Sequence, residues 1–132
     1  MKKNYLYLAL ATISCFASAT LSAADFDGSR PLLCATVDAH DCGPGEICLR
    51  ALPAELGAPQ FLRLDFAKKT VAGPERATSI RFMDNGPAQI LLQGTELGYA
   101  WTIALDKVAG SLAVTLVNRE DTLVLFGACT PL

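Results

Sequence analysis

The sequence predicts an all-β domain, a small closed or strongly curled antiparallel meander barrel of about seven or eight strands with one short helical turn near 53–57. Three observations point that way. From Gln60 onward apolar and polar residues alternate with period two, the pattern of a half-buried strand. Reversal signals interrupt the alternation roughly every ten residues, the spacing of consecutive hairpins. Cys34, Cys42 and Cys48 precede this part of the chain and Cys129 ends it, as in small domains stapled by disulfides. An open sheet of this many strands would leave two bare edges and an apolar face, and curling or closure removes both. A two-sheet sandwich is the alternative, favoured by a last strand that is apolar on both faces.

The chain opens with Lys2 and Lys3, an apolar stretch from Tyr5 to about Ala17, and an exit of small residues, Ser22-Ala23-Ala24. Positive start, short apolar middle and small-residue exit define a secretory signal peptide. Residues 1–24 are expected to be removed, leaving 25–132 as one periplasmic or secreted domain. The stretch is short for a membrane span, and no second one follows. Lipidation of Cys15 is the competing reading, but Thr12-Ile13-Ser14 lacks the usual leucine three positions earlier. The full chain carries 11 basic and 13 acidic side chains, and loss of Lys2 and Lys3 moves its formal charge from −2 to −4. A mildly acidic domain without a basic stripe is a poor nucleic-acid binder.

Leu32 to Val37 reads as the first strand. Asp41 to Cys48 encloses Gly43-Pro44-Gly45 and reads as a loop. Pro53 to Leu56 can make one helical turn, ended by Gly57 and kept from continuing by Pro59. Phe61 to Phe66 alternates, with Leu62, Leu64 and Phe66 on one face. Thr70-Val71-Ala72 returns after the Lys68-Lys69 break. Ser79 to Met83 is the next strand, with Ile80 and Phe82 flanking Arg81. Asp84-Asn85-Gly86-Pro87 follows as the strongest turn signal, because Asn-Gly supplies the positive φ angles of a tight hairpin. Ala88 to Gln93 returns. Tyr99 to Asp106 is the clearest strand, with Tyr99, Trp101, Ile103 and Leu105 sharing a face. Lys107 to Gly110 reverses it, Leu112, Val114 and Leu116 repeat the alternation, and Asn118 to Asp121 turns into a final strand, Thr122 to Cys129.

With Cys15 lost in the leader, Cys34, Cys42, Cys48 and Cys129 remain, an even number with three ways of pairing. Zinc would want close pairs such as Cys-x-x-Cys, whereas these gaps are long and unequal and only His40 is at hand to assist. The expected bridges are Cys42–Cys48, across the Gly-Pro-Gly turn, and Cys34–Cys129, which requires the first strand to meet the last.

Phe26-Asp27-Gly28-Ser29, Leu33-Cys34-Ala35, Pro59-Gln60-Phe61, Asp65-Phe66, Gln93-Gly94, Gly98-x-x-Trp101 and the ending Phe126-Gly127-Ala128-Cys129-Thr130 span nearly the whole mature chain. In these the sequence resembles a group of short exported bacterial proteins with no assigned activity, the ending being the most distinctive piece. The resemblance implies one extracytoplasmic domain and carries no reaction or ligand.

Residues that could do chemistry are few. His40 is the one histidine, so a Ser-His-Asp or Cys-His arrangement would have to use it. Beside it stand cysteines expected to be oxidised, and no Gly-x-Ser-x-Gly elbow is present. It reads as a solvent-exposed loop residue. Glu96 and Asp106, flanking the Trp101 strand, are the nearest approach to a carboxylate pair. Asp25 to Ser29 lacks the distal glutamate of a calcium loop, and Gly43-Pro44-Gly45 lacks the Lys-Ser/Thr of a phosphate cradle. No catalytic residue, cofactor or metal ligand is assigned. Phe82, Tyr99 and Trp101 are the candidate lining of a ligand cavity in the barrel, with core packing as their competing role. Phe61, Leu91 and Leu123 are a candidate outward apolar surface. The expected function is therefore non-enzymatic, an extracytoplasmic binding domain for a protein partner, as an inhibitor or envelope-associated module. A carrier of a small apolar ligand in the barrel interior is the alternative, and a small hydrolase-type enzyme comes last.

Overall fold

The period-two segments become strands, and several run further or break earlier than the alternation alone indicates. In the computed structural model, which describes residues 25–132, the strands are β1 (Leu32–Cys42), β2 (Leu49–Ala51), β3 (Phe61–Asp65), β4 (Thr70–Ala72), β5 (Ala77–Ser79), β6 (Phe82–Asn85), β7 (Gln89–Glu96), β8 (Tyr99–Asp106), β9 (Ser111–Val117) and β10 (Thr122–Pro131). A 3-10 turn, Pro53–Leu56, stands between β2 and β3 and ends at Gly57 with φ 67°, as expected. The expected signal peptide and Cys15 lie outside the described residues. Among those residues no helix is long and apolar enough to cross a membrane.

Every pairing is antiparallel, in one sheet of order β5-β4-β3-β1-β10-β9-β8-β7-β6, with β2 paired to the far half of β1. The sheet is strongly curled into a half-barrel. It is not the two-sheet sandwich. Its two margins, β5 and β6, are pieces of one stretch of chain that the alternation reads as a single strand. At the break, Ile80 N donates to Lys69 O while Arg81 N donates to Gln93 O, so consecutive residues are tied to opposite sides of the sheet. This break and the extra strand β2 raise the count above seven or eight.

β1 runs five residues beyond the expected end at Val37, because a bulge lies there instead of a terminus: the register with β10 shifts between Thr36 and Asp38. The extra residue reverses the inward parity, so Leu32, Cys34 and Thr36 point inward before it and Ala39 after it. Gly127 sits opposite. A Cβ there would collide with the Ala35 carbonyl, so glycine is what allows β10 to close against the bulge. The segment to Cys42, expected as loop, is strand, and β2 returns along it to make a hairpin.

The expected turn at Asn85-Gly86 is a second correction. Neither residue has positive φ; the two-residue reversal with positive φ at both positions is Leu97 (50°) and Gly98 (83°), between β7 and β8. The reason is Pro87, whose ring restricts Gly86 to extended backbone, so the β6–β7 connection takes three residues. Asn85 is used through its side chain instead. Its Nδ2 donates to Asp27 O (3.0 Å), and its Oδ1 accepts from Lys107 Nζ (2.8 Å).

The interior is filled by Leu32, Leu64, Ile90, Leu92, Ile103, Leu105 and Leu125, all fully buried. Trp101, Ile103 and Leu105 of β8 point inward as the alternation requires. Leu123, expected outward, is buried and shares the inner face with Leu125, while Phe126 is 45% exposed on the outer one. A strand apolar on both faces gives no sequence signal for which face is inside. Phe61 is exposed as expected and Leu91 is partly buried.

Both expected disulfides form. Cys34 and Cys129 are cross-strand neighbours in β1 and β10, with Cα atoms 3.9 Å apart, and Cys42–Cys48 closes the tip of the β1–β2 hairpin. One end of the half-barrel is stoppered by the segment before β1. The Phe26 ring packs where a side chain on Gly110 would otherwise stand, beside the Asn85–Lys107 bonds.

Candidate functional site

The opposite end of the half-barrel is not stoppered. There the β7–β8 turn, the segment Leu56–Phe61 and the segment Gly73–Thr78 surround a half-open groove of about 620 Å³ that reaches into the interior. Its walls are apolar, from Leu62, Val71, Ile103, Val114 and Leu116, with Trp101 among them. This volume lies within the ~300–1,000 Å³ of small-molecule sites.

Trp101 is 5% exposed, and its indole nitrogen has no hydrogen-bond partner. An unpaired buried donor costs about 1–3 kcal/mol, so this one is an anomaly in an otherwise satisfied interior. The ring is accommodated by Gly94, its direct partner on β7: a Cβ at Gly94 would run into the indole and come within 2.7 Å of Ser79 O. Sequence spacing placed Trp101 on the inner face, and the small residue facing it was present in Gln93-Gly94.

Tyr99 stands half-buried at the rim, and its hydroxyl donates to Asp121 (3.1 Å to Oδ1). Burial, then that carboxylate, pushes the phenol above its ordinary range. The rim also carries Arg76, 3.7 Å from Glu96 and 3.7 Å from Glu75. Phe82 belongs elsewhere. It is 53% exposed on β6 and does not line the groove, because the break at Ile80–Arg81 cancels the period-two relation that put it on the face of Ile80.

His40 is a strand residue and not an exposed loop one. Its half-buried ring stacks edge-on against Phe126 at 6.2 Å, on the outer face of β1 and β10, and its Nε2 is 3.8 Å from Asp38. Asp38 in turn accepts from Arg50 Nε at 2.7 Å, and that guanidinium holds its carboxyl below the usual range. The neighbouring Cys42 and Cys48 are joined, which leaves no thiolate for a Cys-His pair. Glu96 and Asp106 do not converge. They sit at opposite ends of the β7–β8 ladder, roughly 20 Å apart at the rise of a strand. Asp106 caps the next turn by accepting the N–H groups of Ala109 (2.7 Å) and Val108 (2.8 Å), which hold its carboxyl below the usual range. Asp27 caps Ser29 N in the same way at 2.8 Å. Among the described residues no cluster of His, Cys, Asp and Glu is fit to hold a metal ion.

Two features escape the period-two reading. The groove walls include irregular segments, residues 57–60 and 73–76, whose approach depends on how far the sheet curls. The β1–β2 hairpin carries Ile47 (86% exposed), Leu49 (67%) and Leu52 (57%) in the open. These were visible in the sequence as apolar residues in and just beyond a disulfide-bounded loop. No family model, curated protein or solved structure matches the chain.

Proposed function

We propose that the protein is an extracytoplasmic, non-enzymatic binding domain whose site is the groove at the open end of the half-barrel, and that it takes a small apolar ligand. One observation carries this reading: an apolar groove of about 620 Å³ is lined by a buried tryptophan whose N–H finds no acceptor within the fold. The two disulfides suggest an oxidising environment outside the cytoplasm, and the leader-like start of the chain supports export. The separation of His40, Glu96 and Asp106 supports binding over catalysis. The chain has a single tryptophan, so its emission reports on the groove alone. Titration with a medium-chain apolar compound should shift that emission saturably, and Leu116→Arg should abolish the response. A flat titration, together with no small molecule extracted from the natively purified protein, overturns the reading.

A protein partner is the second reading, supported by the β1–β2 hairpin, where Cys42–Cys48 pins exposed Ile47 and Leu49. In that case Ile47→Asp would abolish capture of the partner and leave the ligand response unchanged.

A further inference from the structure

The side chains around the groove restrict the chemistry of its ligand. Among the described residues, Trp101 Nε1 is the buried side-chain polar atom left without a partner, and an indole nitrogen donates and cannot accept. Of the other polar side chains at the groove, Tyr99 is engaged with Asp121, Arg76 stands between Glu75 and Glu96, and Thr78 Oγ1 donates to the Thr95 carbonyl, while Gln60 is exposed to solvent. A ligand therefore gains by bringing an acceptor. Donors brought into these apolar walls would lose water and find nothing in exchange. The rim adds a sign, since Glu75 and Glu96 stand there with one cation, Arg76, already between them. An anionic head would meet an excess of negative charge.

We infer that the ligand is a neutral, single-chain acyl compound, whose hydrocarbon lies against Leu62, Val71, Val114 and Leu116 and whose ester-type carbonyl oxygen accepts the Trp101 N–H. The inference rests on the groove being a ligand site and adds the ligand's class. Peptides and sugars fail on their buried donors, and free fatty acids fail at the rim. The indole nitrogen is covered, so the carbonyl reaches it only as the adjoining wall gives way. Ser79, whose carbonyl crowds the same side of Gly94 as the indole, ends β5, a three-residue strand at the sheet margin. Short edge pieces of this kind open at little cost.

The test uses the exported, oxidised protein labelled with nitrogen-15 and with methyl carbon-13, and three probes: methyl octanoate, octanoate and octane. One tryptophan gives one indole N–H signal. Methyl octanoate should move that proton downfield together with the leucine and valine methyls of the walls. Octane should move the methyls alone and bind about 2- to 12-fold more weakly, the worth of one net hydrogen bond. Octanoate should bind weakest. Trp101→Phe should erase the advantage of the ester over octane; if that variant does not fold, the indole shift decides by itself. Wall methyls that respond while the indole stays still, or octanoate binding as well as its ester, overturn the inference and leave the groove a ligand site. If none of the probes moves the wall methyls, both readings fall.

Discussion

Replacing Gly94 with alanine probes the packing on which the groove depends. Gly94 pairs directly with Trp101, and an added methyl would fall within the indole and 2.7 Å from the Ser79 carbonyl oxygen. The first obstacle does not yield easily, for it is an enclosed ring, while the second is backbone at the sheet margin and resists less. Forced overpacking costs about 1–3 kcal/mol, and a direct collision with the buried ring puts this site at the upper end. At ~4–8 °C per kcal/mol, a loss of that size lowers Tm by at least about 12 °C. The sign is itself informative, because Gly→Ala at a site with room stabilises by ~0.4–1 kcal/mol through the unfolded chain. Trp101→Ala alone should cost about 3–5 kcal/mol. In that background only Ser79 still crowds the methyl, so the same Gly94→Ala change should cost about 1 kcal/mol, a coupling of roughly 2 kcal/mol. Urea melts followed by circular dichroism, with disulfides intact, measure all four corners of the cycle. A neutral or stabilising Gly94→Ala, or an equal cost in both backgrounds, would refute the placement of the indole over Gly94.

Loss of the two bridges should differ in effect. Loop closure over sequence separations of 95 and 6 gives about 4.7 and 2.2 kcal/mol, so Cys129→Ala should lower the urea midpoint far more than Cys48→Ala, and equal midpoints would contradict this. Asp106 should contribute to acid sensitivity. Its carboxyl is depressed by the Ala109 and Val108 N–H groups, so its stabilisation is complete above the unfolded value of ~3.9 and is lost as pH falls through the lower folded one. Asp106→Asn keeps the acceptor and loses the proton. Its melting temperature should fall less steeply than wild type below about pH 4, and parallel profiles would show that this turn does not titrate with folding.

The parts of the fold that depend on local patterning were legible. β8 could be read residue by residue, the 3-10 turn followed from Pro53 and Gly57, the Cys42–Cys48 bridge from the Gly43-Pro44-Gly45 turn, and the Cys34–Cys129 bridge from bringing the first strand to the last. What was not legible depends on distant partners. The bulge at Val37 is defined by β10 and Gly127, the β5–β6 break by two hydrogen bonds to opposite margins, and the inner face of β10 by the curl of the whole sheet. Asn85-Gly86 misled for a nearer reason, since Pro87 overrides what Asn-Gly does alone. Of the groove, Trp101 and Tyr99 were recoverable from alternation. Phe82 was not, because the alternation breaks just before it.

Placing the first strand beside the last in the middle of the sheet gives the molecule an order of assembly. β6 to β10 are successive hairpins, and so are β3 to β5, so each half can form through contacts of low contact order. The β1–β10 seam instead joins residues 95 apart, as at Cys34 and Cys129, and must close last. Until it does, β1 and β10 each present a bare edge able to pair with another chain. A chain threaded across a membrane from its N-terminus would expose β1 longest. The seam cysteines come within bonding reach only when the two halves dock, so oxidation there marks a chain that has passed its slowest and most aggregation-prone step.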